Sequence, residues 1–266
     1  MKTPEEKPNV TVNDLKELTK KTVDELNDEK IQSFLNSMGH FPYYSAGNNL
    51  LIYAQSAGTA TRVASYDTWK SMDRHVKKGS KAIRIIMPDP ENKNQLIPQA
   101  VFDVASTDGA DIRPSRLIKD LTDKEVQTVY SALQEVTVEP IPSFNAGEDL
   151  AANLYAITEE LLLETMEDIK DKYALDFIAS SATYVACQYH GIPTTNISVV
   201  SYDAATENME TKEKKELLSN VQKATKTMTN TLSKSIKQLS EAYSQKEKAS
   251  AKKTHAPKQK PKAMSM

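Results

Sequence analysis

The sequence predicts an α+β protein: N-terminal helices with a small β-sheet, then a mostly helical half that ends in one long helix. Three observations carry this expectation. Apolar residues recur every three or four positions over 11–55 and again over 154–248, the period of an amphipathic helix. Between these regions, Ala82–Met87 and Ile97–Val104 are short apolar, β-branched runs. They are separated by a stretch rich in Pro, Asn and charge, as in a pair of antiparallel strands. The chain has 266 residues, 39% hydrophobic and 26% charged, an ordinary globular balance and enough for one large or two small domains.

Each element has its own signal. Residues 1–10 are polar and read as a flexible N-terminus. Thr11 and Asp14 form a capping box, after which Leu15, Leu18, Val23 and Leu26 mark a first helix. A second helix begins near Glu29 and carries Ile31, Phe34 and Leu35. A third runs from about Ser45, a plausible cap, to Gln55 with Leu50, Leu51 and Ile52. Tyr66–Arg74 reads as a short helix. Pro98 suits an edge or a strand start better than a central position. Residues 105–120 read as a connector. Thr122 and Glu125 form a second capping box, opening a helix to about Val136, and Glu139–Pro142 is extended. Leu154–Asp171 and Leu175–Tyr189 are strong helices, the second stopped by Gly191 and Pro193. A long polar helix follows from Glu207 to about Lys248, its apolar positions being Leu217, Val221, Met228, Leu232, Ile236, Leu239 and Tyr243. The expected boundaries are 11–110 and 111–245 for two domains, with 246–266 a basic, disordered tail.

Several chemistries are excluded by residue counts. One cysteine, Cys187, permits neither an internal disulfide nor a zinc-cysteine cluster, which fits a reducing cytoplasm. Cys187 is flanked by apolar residues and reads as a small core residue. The N-terminus has no apolar core, and no run of about 18 apolar residues occurs, so neither a signal peptide nor a membrane span is expected. The histidines are His40, His75, His190 and His255, and no two stand at the i, i+4 spacing of a helical metal site. No cofactor is expected.

The net charge of −2 hides a segregated pattern. Arg62, Lys70, Arg74, Lys77, Lys78, Lys81 and Arg84 face only Asp67 and Asp73 over 62–84, giving that segment a net +5. Tyr66, Trp69 and His75 are interleaved, with Tyr43, Tyr44 and Tyr53 upstream. Cations neutralise phosphates, and flat aromatic faces stack on unpaired bases without demanding a sequence. The bland alternative is a solvated charged loop beside a core tryptophan. With Tyr66 and Trp69 three apart, Trp69 is read as a partly exposed platform, the core being its alternative. Asn48 is either a DNA contact or a bridge between backbone groups, and Gly79 is a turn residue.

The order of residues carries a resemblance. Tyr44, Ser45, Asn48, Leu50, Leu51, Ile52 and Gln55, then Ala60, Thr61, Val63, Trp69, Lys70, Arg74, Val76, Lys77, Lys78, Gly79, Ile83 and Pro88 resemble the N-terminal domain of the ArdC antirestriction family. Val101, Phe102, Asp103, Val104 and Thr107 look like the strand that closes that domain. The resemblance covers roughly residues 10–110. It implies an α/β single-stranded DNA-binding domain of plasmids, conjugative elements and phages that protects incoming DNA from restriction. The contact residues expected are Tyr44, Asn48, Arg62, Trp69, Lys70, Arg74, Lys77, Lys78, Lys81 and Arg84. Three departures stand out. Ala57 sits near an expected proline, the segment around Gly58 is one residue longer, and Asp73 replaces the usual glycine before Arg74.

In that family the second half resembles zinc metalloproteases with a His-Glu-x-x-His helix. Aligned on it, Glu159 and Leu163 stand at the histidine positions and Glu160 at the catalytic glutamate, while Ser180 replaces a further ligand glutamate. Leucine cannot ligate zinc. The resemblance therefore implies a degenerate metalloprotease-like domain with no catalytic or metal residues, supported by Ala182, Tyr184, Val185, Cys187, His190, Gly191 and Thr194. Two functions remain open: nonspecific single-stranded DNA binding, or a non-catalytic protein that inhibits a host defence enzyme through acidic segments such as 103–123 and 159–171. A cryptic hydrolase is disfavoured by the missing ligands. Oligomeric state is not read from the sequence.

Overall fold

The computed structural model describes residues 10–112, 130, 143, 145, 149–166 and 169–254, with only the backbone described for 159–165, 235, 236 and 238–254. The chain begins with three capped helices. α1 (Val12–Asp24) starts at the capping box of Thr11 and Asp14, α2 (Asp28–Gly39) at Asn27, and α3 (Ala46–Ser56) at Ser45, whose hydroxyl accepts from the Asn48 amide. Short elements follow: β1 (Val63–Ala64), α4 (Tyr66–Ser71), β2 (Arg74–Val76), β3 (Ile83–Pro88), β4 (Leu96–Asp103), a 3-10 turn (Val104–Ser106) and β5 (Thr107–Gly109). The later helices are α5 (Leu150–Thr165), α6 (Lys172–His190), α7 (Tyr202–Ala205) and α8 (Thr211–Thr254). The architecture is α+β, as the patterning predicts.

The strands form two small antiparallel sheets. One has the order β1-β4-β3, with Ile83 opposite Val101 and Val63 opposite Asp103. The other pairs β2 with β5, with His75 opposite Asp108. Pro98 is tolerated in β4 for two reasons. β1 pairs only with residues 102 and 103, so β4 is an edge at Pro98. Its partner Ile86 sends its N–H and C=O to Asn48 instead, so the pair exchanges no ladder bonds.

Three apolar clusters hold the elements. The largest joins Val23, Phe34, Leu35 and Leu50 of α1–α3 to Phe177, Val185, Tyr202, Leu218 and Val221 of α6–α8. The second gathers Tyr130, Leu154, Ile157, Cys187, Met228 and Leu232. The third lies under the three-stranded sheet and contains Phe41, Ile52, Val63, Ile83, Ile85 and Val101. Polar cross-caps lock the first. The Asp28 carboxylate accepts from the Ser201 hydroxyl (2.7 Å) and the Asp203 amide (3.1 Å), and the Thr211 hydroxyl donates to Asp24 at 2.6 Å.

Several boundaries differ from expectation. The Tyr66–Arg74 helix stops at Ser71, and Arg74 enters β2. β1, β2 and β5 are two or three residues long, too short for a periodic signal. α6 begins at Lys172 because Asp171 caps it. α8 runs on to Thr254, through residues placed in the disordered tail, because Glu247, Ala249, Ala251 and the lysines between them are good helix formers. The flexible 1–10 assignment (residues 1–9), most of the 122–136 helix, the extended 139–142 and residues 255–266 lie outside the described residues.

Two of the sequence departures acquire a reason. Asp73 (φ 55°) and Ala57 (φ 49°) both adopt the left-handed conformation. Glycine is the natural occupant before Arg74, and proline is barred at Ala57. Opposite Arg74, Gly109 (φ 135°) must lack a side chain, since a Cβ would collide with the Asp73 carbonyl. Asp73→Gly is therefore expected to raise stability by about 1 kcal/mol in urea denaturation. No gain would mean that the aspartate side chain offsets the strain.

Candidate nucleic-acid interface

The basic segment folds into a surface scaffolded by α4, the β2–β5 ribbon and the turn between β2 and β3. Of its cations, Arg62, Lys70, Lys78 and Lys81 are exposed, and none has a carboxylate partner among the described residues. Lys78 and Lys81 flank the turn at Gly79, whose φ of 86° explains the glycine. Tyr66 is 55% exposed and stands four residues before Lys70, so ring and ammonium share one face of α4.

The remaining candidates are structural to different degrees. Trp69 is fully buried, and its indole N–H donates to the Phe102 carbonyl at 2.8 Å. The reading of Trp69 as an exposed platform is thus corrected: α4 turns it inward. Asn48 is 7% exposed, its amide bonded to both backbone groups of Ile86 at 2.9 Å, so the backbone-bridging alternative describes it. Arg74 is spread over the ribbon, donating to the Thr107 hydroxyl (2.8 Å) and to the carbonyls of Thr107, Gly109 and Ala110. Lys77 donates to the Ala105 carbonyl (3.2 Å) and pairs with Asp108 at 3.3 Å. Arg84 is half-buried, facing away from the core that receives Ile83 and Ile85. Tyr44 packs edge-on to Phe41 with centroids 6.0 Å apart, and burial raises its phenol pKa.

Two acids near this surface are already engaged. Asp103 accepts from the amides of Thr61, Arg62 and Ala105, and Asp108 is held by Lys77. Gln55 is a further structural residue of this surface that the sequence does not single out as a contact. Its amide bonds Arg84 as Asn48 bonds Ile86, and its spacing of seven from Asn48 on α3 is the signal that relates them.

The second half offers no metal-binding constellation among the described residues. Ser180 is buried, donates to the carbonyls of Asp176 and Phe177, and accepts from the Val200 amide at 3.1 Å. Cys187 is buried, which pushes its thiol pKa far up. His190 is buried with Nε2 at 3.2 Å from the Thr229 carbonyl, and burial lowers its pKa. The side chains at 159, 160 and 163 lie outside the described residues.

Fold and surface together define an α+β protein with exposed cations and an adjoining tyrosine on short elements braced by helices. Residues 7–138 match the family model described as the N-terminal domain of anti-restriction factor ArdC. Through that domain, the chain belongs to the ArdC antirestriction family. Among solved structures, it is similar to the Mn(II)-bound antirestriction ArdC protein from plasmid R388, with a TM-score of 0.51 and 15% identity, covering 83% of this chain and 97% of that one. The metal-free form of the same protein gives a TM-score of 0.47 at 15% identity, over 83% and 98% of the two chains. At that identity the likeness is one of fold. No curated protein matches the sequence. No described helix is long and apolar enough to cross a membrane.

Proposed function

We propose that this chain is a cytoplasmic, nonspecific single-stranded DNA-binding protein of a mobile element or phage that shields incoming DNA from restriction, with no metalloprotease activity. One observation carries the reading: four exposed cations without carboxylate partners among the described residues, beside an exposed tyrosine on the face of α4 that bears Lys70. Lysine and arginine neutralise phosphates, and the ring supplies a base-stacking surface. The inhibitor reading draws on the acidic segments 103–123 and 159–171, of which Asp103, Asp108 and Asp171 are engaged within the fold. The division into a DNA-binding domain over 11–110 and a degenerate metalloprotease-like domain over 111–245 belongs to the same proposal.

The test is a salt titration of binding to unstructured oligodeoxythymidine and to duplex DNA. Single strands bind more tightly, and affinity falls with salt at a log–log slope of about −0.7 per neutralised phosphate. The combined variant Lys70→Ala, Lys78→Ala, Lys81→Ala flattens the slope by about 2. Lys77→Ala alone changes it little, since Lys77 is already paired. Identical slopes for the triple variant and the unmodified protein would remove the basic surface from the mechanism.

A further inference from the structure

The loop 40–45 carries a second exposed aromatic surface at the seam with the C-terminal helices. Tyr43 is 48% exposed, yet its ring is fixed edge-on to Tyr189 at the end of α6, with centroids 5.8 Å apart and planes at 88°. Tyr189 is half-buried and stands edge-on to His190 at 5.0 Å. His190 in turn meets the Thr229 carbonyl of α8 at 3.2 Å, and the Gln222 amide of α8 donates to the Pro42 carbonyl at 3.1 Å. Three elements therefore converge here. On α8, Lys226 lies four residues after Gln222 and three before Thr229, on the stripe that meets the loop, and it is exposed. Lys223 is exposed beside it.

We infer that Tyr43, backed by Tyr189 and accompanied by Lys226, is a second stacking site for a single strand, continuing the path of the basic segment onto the C-terminal helices. This rests on the single-strand reading above. Four features support it. An edge-on contact orients a ring without covering both of its faces, so Tyr43 keeps a face for a base while losing little freedom on binding. An exposed ammonium on the adjoining helix is what the neighbouring phosphate requires. The loop is joined to the first site through the core: Phe41 packs in the same cluster as Val63, the residue after exposed Arg62. Finally, Tyr189 is itself held edge-on to His190 at 5.0 Å, so the ring behind Tyr43 is fixed in place.

Length dependence tests the inference. Anisotropy is measured with labelled oligodeoxythymidines from about 4 to about 16 nucleotides, the range of single-strand site sizes. The unmodified protein gains affinity as the strand grows past the first site. The double variant Tyr43→Ser, Lys226→Ala binds the shortest strands unchanged but is about tenfold weaker on the longest, the loss of roughly one stacked base. Tyr43→Trp retains the gain. Photo-crosslinking with a bromodeoxyuridine strand attaches to Tyr43, and the adduct is read by mass spectrometry. A double variant whose affinity equals that of the unmodified protein at every length overturns the seam site and leaves the first site standing. An unmodified protein that binds no single strand overturns both. Far-ultraviolet circular dichroism checks that the variants fold, and Tyr43→Phe supplies a folded control that keeps the ring.

Discussion

Trp69→Ala is expected to cost about 3–5 kcal/mol of stability, and single-stranded DNA should leave the fluorescence of the intact protein unquenched by stacking. The residue is fully buried, so its removal leaves a large cavity, and the Phe102 carbonyl loses its indole donor at 2.8 Å. Trp69→Phe separates the two contributions. It keeps most of the packing and removes only the indole hydrogen bond, since the Phe102 carbonyl stays paired with Ala64 across the sheet, at about 0.5–1.5 kcal/mol. Urea denaturation of both variants measures the losses, and because Trp69 is the only tryptophan, its emission reports this one site. If Trp69→Ala melts like the unmodified protein while binding DNA more weakly, the ring is a contact after all.

Trp69 shows what helical spacing resolves and what it does not. On a helix, Tyr66 has neighbours at both i+3 and i+4, namely Trp69 and Lys70, on either side of its own direction. Sequence alone does not say which pair shares the solvent face of a six-residue helix. The structure assigns Tyr66 with Lys70 and sends Trp69 to the sheet. By contrast, α1–α3, α6 and the β3–β4 hairpin were legible, because each has a cap, a breaker or a periodic run of adequate length. β1, β2 and β5 were not, since two or three residues carry no period and form only through pairing with distant segments. The lysines at 70, 78 and 81 were legible as exposed, because lysine is seldom buried. The engagement of Lys77 and Arg74 depended on β5, an element the sequence does not announce.

Replacing both Asn48 and Gln55 by alanine is expected to destabilise the sheet by several kcal/mol, at about 1–3 kcal/mol for each buried group left without a partner. β3 is an edge strand, so the backbone groups of Arg84 and Ile86 that point away from β4 need partners. α3 supplies them through side chains. The Gln55 amide donates to the Arg84 carbonyl and accepts its N–H, both at 2.8 Å, and Asn48 does the same for Ile86 at 2.9 Å. Two carboxamides thus stand in for a neighbouring strand, since at neutral pH a carboxamide both donates and accepts in one plane whereas a carboxylate only accepts. Asn48→Asp tests that requirement at nearly constant volume. The carboxylate still accepts from the Ile86 N–H but meets the Ile86 carbonyl without a proton to offer, so Asn48→Asp should be destabilised and should recover partly on acidification. Hydrogen exchange at the Arg84 and Ile86 amides locates the effect: both should lose protection in the double alanine variant, while the α6 amides change only with global stability. Full protection at these two amides in the double variant would show that the helix holds the strand by packing alone. Loss of protection would identify Asn48 and Gln55 as the residues that anchor Arg84 beside the exposed cations.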